Sequence, residues 1–261
     1  MPFCGCIIRG VTLFKPKVLR FESLPSTNTE LARLASEGAA EGLAIVADEQ
    51  TAGRGRLQRA WSSPKGAGLY FSILLRPSIP TEHWPLITFM AALAAGDALN
   101  ETTGLHTDIK WPNDLLSNER KICGILAEAI ETPAGRAVIV GIGINLTQNA
   151  FPAELANAAT SVSEATGQQP ERETILAALL RALPRWYSLL HEPAGREKIV
   201  AAWCGRSSYA TGKFVQVSNG DEVWQGTTCG VEHDGALRLG TASGEIKVVR
   251  AGDVYSVRPS S

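Results

Sequence analysis

The chain has 261 residues, 44% of them hydrophobic, and its 25 Lys and Arg against 26 Asp and Glu leave a formal net charge of −1. That is ample for a packed core, arranged as one large domain or as a large and a small one, and it excludes a global positive field for nucleic acid. No apolar run approaches the ~20 residues of a membrane helix, and the opening Met-Pro-Phe-Cys-Gly-Cys-Ile-Ile-Arg is too short for a signal peptide.

Five scattered cysteines, Cys4, Cys6, Cys123, Cys204 and Cys229, fit a reducing cytoplasm better than a disulfide framework. The Cys4-x-Cys6 pair lacks the spacing of a structural zinc site. Cys123 lies in an alternating apolar stretch and reads as a small core residue.

In chain order, Val18 to Phe21 predicts a short strand, and Ser26-Thr-Asn-Thr-Glu30 predicts a helix start capped by Thr27, with Glu30 three residues on. Leu31, Leu34 and Ala35 form its apolar face, and Gly38 closes it. Leu43 to Asp48 is a buried strand, Leu69 to Leu75 another, and Glu82 to Asn100 is apolar all round, a largely buried helix. Strands follow at Thr107 to Trp111, Lys121 to Ile130 and Arg136 to Leu146, the last two joined as a hairpin, and helices at Glu171 to Leu190 and Ala194 to Cys204. Beyond Thr211 only short strands and turns remain, with Asn219-Gly220 as a hairpin turn, which reads as a small β-barrel. The fold class is α+β with a β appendage: a tail over 1–17, a main domain over 18–210 and a small domain over 211–261.

The loop Glu49-Gln-Thr-Ala-Gly-Arg-Gly-Arg-Leu-Gln-Arg-Ala-Trp61 interleaves glycines with arginines directly after a buried strand. Gly53 and Gly55 let backbone N–H groups approach a ligand. Arg54, Arg56 and Arg59 offer planar donors for phosphate or carboxylate oxygens, although a solvated basic turn would read the same way. Three further blocks follow: Lys110-Trp-Pro-Asn-Asp114, Arg120-Lys-Ile-Cys-Gly-Ile-Leu-Ala-Glu128 and Val140-Gly-Ile-Gly-Ile-Asn-Leu146. Gly141 and Gly143 weaken a strand unless something approaches it closely.

These four blocks, in this order, resemble the catalytic domain of biotin protein ligases over a span from about Phe21 to the end of the chain. The resemblance implies a catalytic domain similar to class II aminoacyl-tRNA synthetases followed by an SH3-like C-terminal domain. It implies ATP, Mg2+ and biotin as the small molecules, and a biotin carboxyl-carrier protein domain as the partner of a monomer or homodimer. Some members carry an N-terminal helix-turn-helix; only about twenty residues precede the first expected strand here, so no nucleic-acid partner is expected.

Adenylation brings a carboxylate to an anionic triphosphate, so the site must neutralise charge and hold the two in line. By resemblance Lys110 meets the biotin carboxylate and the α-phosphate, Arg56 clamps the carboxylate or the adenylate, and Arg59 reaches the departing pyrophosphate. Ser26, Thr27, Asn28, Gln50, Gly53, Arg54, Gly55 and Gly124 take biotin, with Asn113 and Asn145 beside the adenylate and Asp114 as a magnesium partner. Plainer readings stand beside these: a strand-end lysine for Lys110, a helix cap for Thr27, a solvated loop side chain for Gln50, and turn residues for Asp114 and Asn145. Trp61 reads as core, and Trp111 and Pro112 as residues that shape a turn.

One departure belongs to this chain. The family commonly reads Gly-Arg-Gly-Arg-x-Gly-Arg, and here Leu57-Gln58 precedes Arg59, so a glutamine stands where the third glycine would. Glutamine takes left-handed φ only at a cost, which bears on the aim of Arg59. The rival readings are a lipoate or octanoate ligase or transferase of the same fold, and a non-catalytic ligand-binding protein.

Overall fold

The computed structural model describes residues 15–220 and 222–256; the Cys4-x-Cys6 pair and most of the expected tail lie outside the described residues. The larger of two sheets contains β1 (Lys17–Leu24), β2 (Leu43–Gln50), β3 (Gly68–Leu75), β4 (Asp108–Lys110), β5 (Asp114–Ser117), β6 (Arg120–Thr132) and β7 (Gly135–Asn145). Their order is β1-β2-β3-β7-β6-β5-β4. The β1–β2 pair is parallel and the other pairs are antiparallel.

Period-two alternation decides which side chains go where. On β7, Val138, Val140, Ile142 and Ile144 point to one face, where α2 (Leu86–Thr103), α4 (Arg172–His191) and α5 (Gly195–Cys204) cover them. Ala137 and Ile139 point to the other, against α1 (Thr27–Ser36) with Leu31, Ala35, Ile45, Ala47 and Leu74. At ten residues α1 is too short to cover the whole of that second face. The strip that its apolar side chains leave bare, beyond Ile139, is where the small residues Gly141 and Gly143 fall, Gly141 at its margin under Asn28.

The C-terminal sheet, β8 (Thr211–Ser218), β9 (Val223–Val231), β10 (Leu237–Gly240), β11 (Ile246–Val249) and β12 (Asp253–Ser256), is antiparallel in the order β11-β10-β9-β8-β12. Its inward residues Val215, Val217, Leu237, Leu239, Val249 and Val254 belong to the same core as α2 and α5. The indole N–H of Trp111 donates across the seam to the Gly235 carbonyl at 3.0 Å.

Two expected details change. Ser26 is the residue before α1 and Thr27 is already helical; Ser26 makes no capping bond, and Glu30 pairs with Arg33 rather than closing a capping box. The Thr27 hydroxyl is drawn away by a polar cluster across the sheet, described below. Strands β5 and β12 had no signal of their own: β5 is four residues long, and it turns into β6 through Asn118 and Glu119, both left-handed at φ 49° and 62°.

Trp203 of α5 is fully buried and stacks on Phe89 of α2, ring centroids 4.4 Å apart, so it fastens α5 to the helix beneath the large sheet. Trp203→Ala is expected to lower unfolding free energy by about 3–5 kcal/mol, measured as the shift of a urea denaturation midpoint with the slope unchanged.

Candidate functional site

The bare strip of sheet is the floor of a cavity of about 220 Å³. Its walls come from the N-terminus of α1, the end of β2, the arginine loop, β6 and β12, and they include Ser26, Thr27, Asn28, Gln50, Arg54, Gly55, Arg56, Arg59, Asn113, Asp114, Gly124 and Asn145. Two expected residues are not on the wall. Gly53 is packed behind it, where an added Cβ would lie 2.8 Å from Ser63 Oγ. Lys110 lies off the wall on β4, beside the strand that carries Asp114, its register partner on β5.

At the inner end the polar side chains that line the cavity, Ser26, Thr27, Asn28 and Gln50, are uncharged, and all but Ser26 are joined by hydrogen bonds. The Thr27 backbone N–H donates to Gln50 Oε1 at 2.8 Å, and the Thr27 hydroxyl donates to the same oxygen at 3.1 Å. Gln50 Nε2 donates to Ser63 Oγ at 2.8 Å. Asn28 Nδ2 donates to Glu128 Oε2 at 2.7 Å, while Asn28 Oδ1 lies 2.6 Å from the Ser72 hydroxyl, itself 2.7 Å from Thr27 Oγ1. Gly141 is required here, since a Cβ on it would collide with the Asn28 amide.

Along the floor, Gly124 and Gly143 are register partners on β6 and β7. Trp61 lies on them: a Cβ on Gly143 would fall 2.5 Å from the indole nitrogen, and one on Gly124 2.8 Å from the six-membered ring. Lys121 Nζ stands 5.2 Å from the centroid of that indole. Trp61 is thus a cavity residue, not a core one. Its indole N–H is buried without a hydrogen-bond partner among the described residues. The sequence expectation that the glycines admit a ligand is met by a side chain of the same chain.

Cations gather at the outer end. The arginine loop closes on itself as a hairpin, with Trp61 N donating to Gly53 O at 2.8 Å and Gly55 N to Arg59 O at 2.7 Å. Arg54 pairs with Glu128. Arg56 donates to Asp253 Oδ1 at 3.2 Å, to Gly252 O at 3.1 Å and to Asn113 Oδ1 at 3.3 Å, and Arg59 pairs with the other Asp253 oxygen. Burial lowers the Arg56 guanidinium against the pull of Asp253, whereas its hydrogen bond to Asp253 raises the more exposed Arg59. Lys121 Nζ lies 2.6 Å from Asp114 Oδ1. Asn145 Nδ2 donates to Thr160 O at 3.0 Å, so its amide is committed to a neighbouring loop. Cys123 is fully buried and burial pushes its thiol far up, so it is a core residue as expected.

Sequence reasoning missed Asp253, Lys121, Ser72 and Glu128. The partners Arg56 and Asp253 are 197 residues apart, and nothing local links them. Lys121 was hidden by a register shift between β5 and β6, which sends both Ile122 and Cys123 into the core and leaves Lys121 on the cavity side with Gly124.

The loop's departure is visible in its backbone. Leu57 and Gln58 stand at φ 53° and 59°, both left-handed. A left-handed non-glycine residue costs about 1–2 kcal/mol, partly offset by the larger entropy a glycine loses. Gln58→Gly is therefore expected to stabilise the protein by about 0.5–1 kcal/mol, read from a chemical denaturation curve.

Against known proteins, residues 20–145 match the biotin/lipoate A/B protein ligase family. A bifunctional ligase/repressor BirA of Bacillus subtilis is 40% identical over 240 residues, 88% of this chain and 71% of its own length. A biotin–[acetyl-CoA-carboxylase] ligase of Mycobacterium tuberculosis is 32% identical, covering 89% of this chain and 86% of its own. Among solved structures, a biotin protein ligase from Aquifex aeolicus in complex with biotin and ATP superposes with a TM-score of 0.81 at 31% identity, over 93% of this chain and 98% of that one. With the cavity described above, these likenesses place the chain in the biotin/lipoate A/B protein ligase family, as a biotin protein ligase.

Proposed function

We propose that the chain activates biotin with ATP and transfers it to a lysine of a carboxylase carrier domain, using residues 18–210 for the chemistry and residues 211–261 to brace it. The observation that carries this reading is a single cavity with an uncharged polar end, a flat glycine-and-indole floor and a cationic mouth. A ureido ring with one acceptor and two donors suits the Ser26, Thr27, Asn28 and Gln50 end, an apolar tail suits the floor, and a carboxylate and phosphates suit the mouth.

In the first step a biotin carboxylate oxygen attacks the α-phosphorus of ATP, and pyrophosphate leaves with the electrons of the broken P–O bond. Arg56 and Lys110 offset the charge that gathers between the two anions, and Arg59 faces the leaving group. Asn113 and Asn145 flank the adenylate. In the second step the carrier's lysine amine attacks the biotinyl carbonyl, AMP leaves, and the surplus proton goes to solvent. No side chain of the enzyme is covalently modified.

Mg2+ would supply charge neutralisation to the triphosphate. The residues present do not build a protein cage for it: among the described residues no group of three or more His, Cys, Asp or Glu side chains comes together. Asp114 is engaged by Lys121, and Asp253 by Arg56 and Arg59. An ion that keeps its waters and rides on the phosphates needs no such cage. We place the reaction in the cytoplasm, supported by the free Cys123, Cys204 and Cys229; no helix among the described residues is long and apolar enough to cross a membrane.

The test is production of AMP and pyrophosphate from biotin, ATP and a carrier domain, with lipoate and octanoate as alternative acids. Turnover of either in preference to biotin would move the chain to the family's other branch, and no turnover of any acid would leave a binding protein. Lys110→Ala is expected to slow pyrophosphate formation by about two or more powers of ten with the unfolding transition retained. Arg56→Ala removes one partner of a desolvated charge pair and is expected to raise the off-rate of preformed biotinyl-adenylate, followed by its loss from the protein on dilution; an unchanged off-rate would leave Arg56 as a scaffold for the loop.

A further inference from the structure

Asp114, the register partner of Lys110, and Asp253 pull on the Lys110 ammonium without closing on it. Among the described residues Lys110 makes no ion pair, and its Nζ lies 5.5 Å from the centroid of the Tyr209 ring. Tyr209 is only 2% exposed, in the short segment between α5 and β8. That segment is laced to β4: Ile109 N donates to Arg206 O at 2.9 Å and Ser207 Oγ donates to Ile109 O at 2.5 Å. Ser208 donates to the Asp108 carboxylate through its N–H at 2.7 Å and through its hydroxyl at 2.5 Å. The two residues before Lys110 are thus gripped by the three before Tyr209, and ammonium and ring are set against each other by backbone on both sides.

A second ammonium, Lys213 Nζ, lies 4.1 Å from the same ring and is drawn off by Glu119 at 3.0 Å. Burial pulls the Lys213 ammonium down, but Glu119 and Tyr209 together outweigh it and leave it above its ordinary value. Lys110 has no ion-pair partner of that kind: burial, with Lys121 and Lys213 pushing the same way, leaves its ammonium below its ordinary value against the pull of Asp114 and Asp253. A ring face attracts a cation through its quadrupole without neutralising it. A carboxylate in that place would compete with the anions that Lys110 has to meet.

We propose that Tyr209 is a positioning residue for adenylation, its ring face holding the Lys110 ammonium in place while leaving the full positive charge available to the incoming carboxylate and phosphate. The inference rests on the assignment of Lys110 to that step. Pyrophosphate formation from biotin and ATP by the full chain tests it. Tyr209→Phe keeps the ring and is expected to stay within about twofold of the wild-type rate, whereas Tyr209→Leu and Tyr209→Met, two variants so that one folded example suffices, lose about tenfold. Because Tyr209 acts through Lys110, adding either substitution to Lys110→Ala should cost nothing further. Losses that multiply in the double variant, or a Tyr209→Phe as slow as Tyr209→Leu, would overturn the positioning role alone. A Lys110→Ala enzyme at the wild-type rate would overturn the assignment of Lys110 and this inference with it.

Discussion

The site depends on the parity of one strand. Along β7 the residues facing the three helices are valine and isoleucine, and those facing the other way end in Gly141, Gly143 and Asn145. Because a strand shows alternate residues to alternate faces, a slip of one residue would bury the glycines and push branched side chains into the cavity. The large core on the helix side resists such a slip, so the glycine strip is fixed by the packing behind it. The apolar side of the short α1 then covers Ala137 and Ile139, Asn28 at its N-terminal end lies on Gly141, and Thr27 and Asn28 border the cavity beyond.

The second constraint is electrostatic and spans the molecule. Asp253, on the edge strand β12 of the C-terminal sheet, receives both Arg56 and Arg59, while Gly252 offers its carbonyl to Arg56 as well. Arg56 and Arg59 repel each other, and the effect falls on the more buried Arg56. The acidic edge strand neutralises part of that repulsion, and it gives the C-terminal sheet a bearing on the chemistry beyond the core it shares. Arg54 is handled in the same way from another direction by Glu128, which also takes the Asn28 amide.

The sequence made legible what is local and periodic. Buried strands, the long helices and the β-only tail follow from two-residue and 3.6-residue patterns, and the arginine loop and the Lys110 block announce themselves by composition. What stayed hidden was set by tertiary partners. The cap position shifted from Thr27 to Ser26, and the Thr27 hydroxyl faces Gln50 and Ser72 instead of the helix end. Trp61 read as core because indoles usually are, and only the pairing of Gly124 with Gly143 shows that a shelf exists for it. Lys121 escaped because one register shift breaks the alternation from which its side would be read. Asp253 could be found only by folding the chain.

The cluster of Ser72, Thr27, Asn28 and Gln50 has a consequence for how the inner end meets a ligand. Asn28 donates both to Glu128 and to the Leu126 carbonyl, which fixes its amide so that Oδ1 is an acceptor. The single Ser72 hydrogen is then committed to Asn28, and Ser72 is left facing Thr27 as an acceptor only. Gln50 Oε1 is already satisfied by the Thr27 backbone N–H. One hydrogen in the group, on the Thr27 hydroxyl, therefore has a choice of acceptors and can rotate toward a third one without orphaning any atom of the protein. That cluster is a fixed frame with one rotor in it, able to turn its hydrogen to a carbonyl or its lone pairs to an N–H while the dipoles of Asn28, Gln50 and Ser72 stay where folding put them.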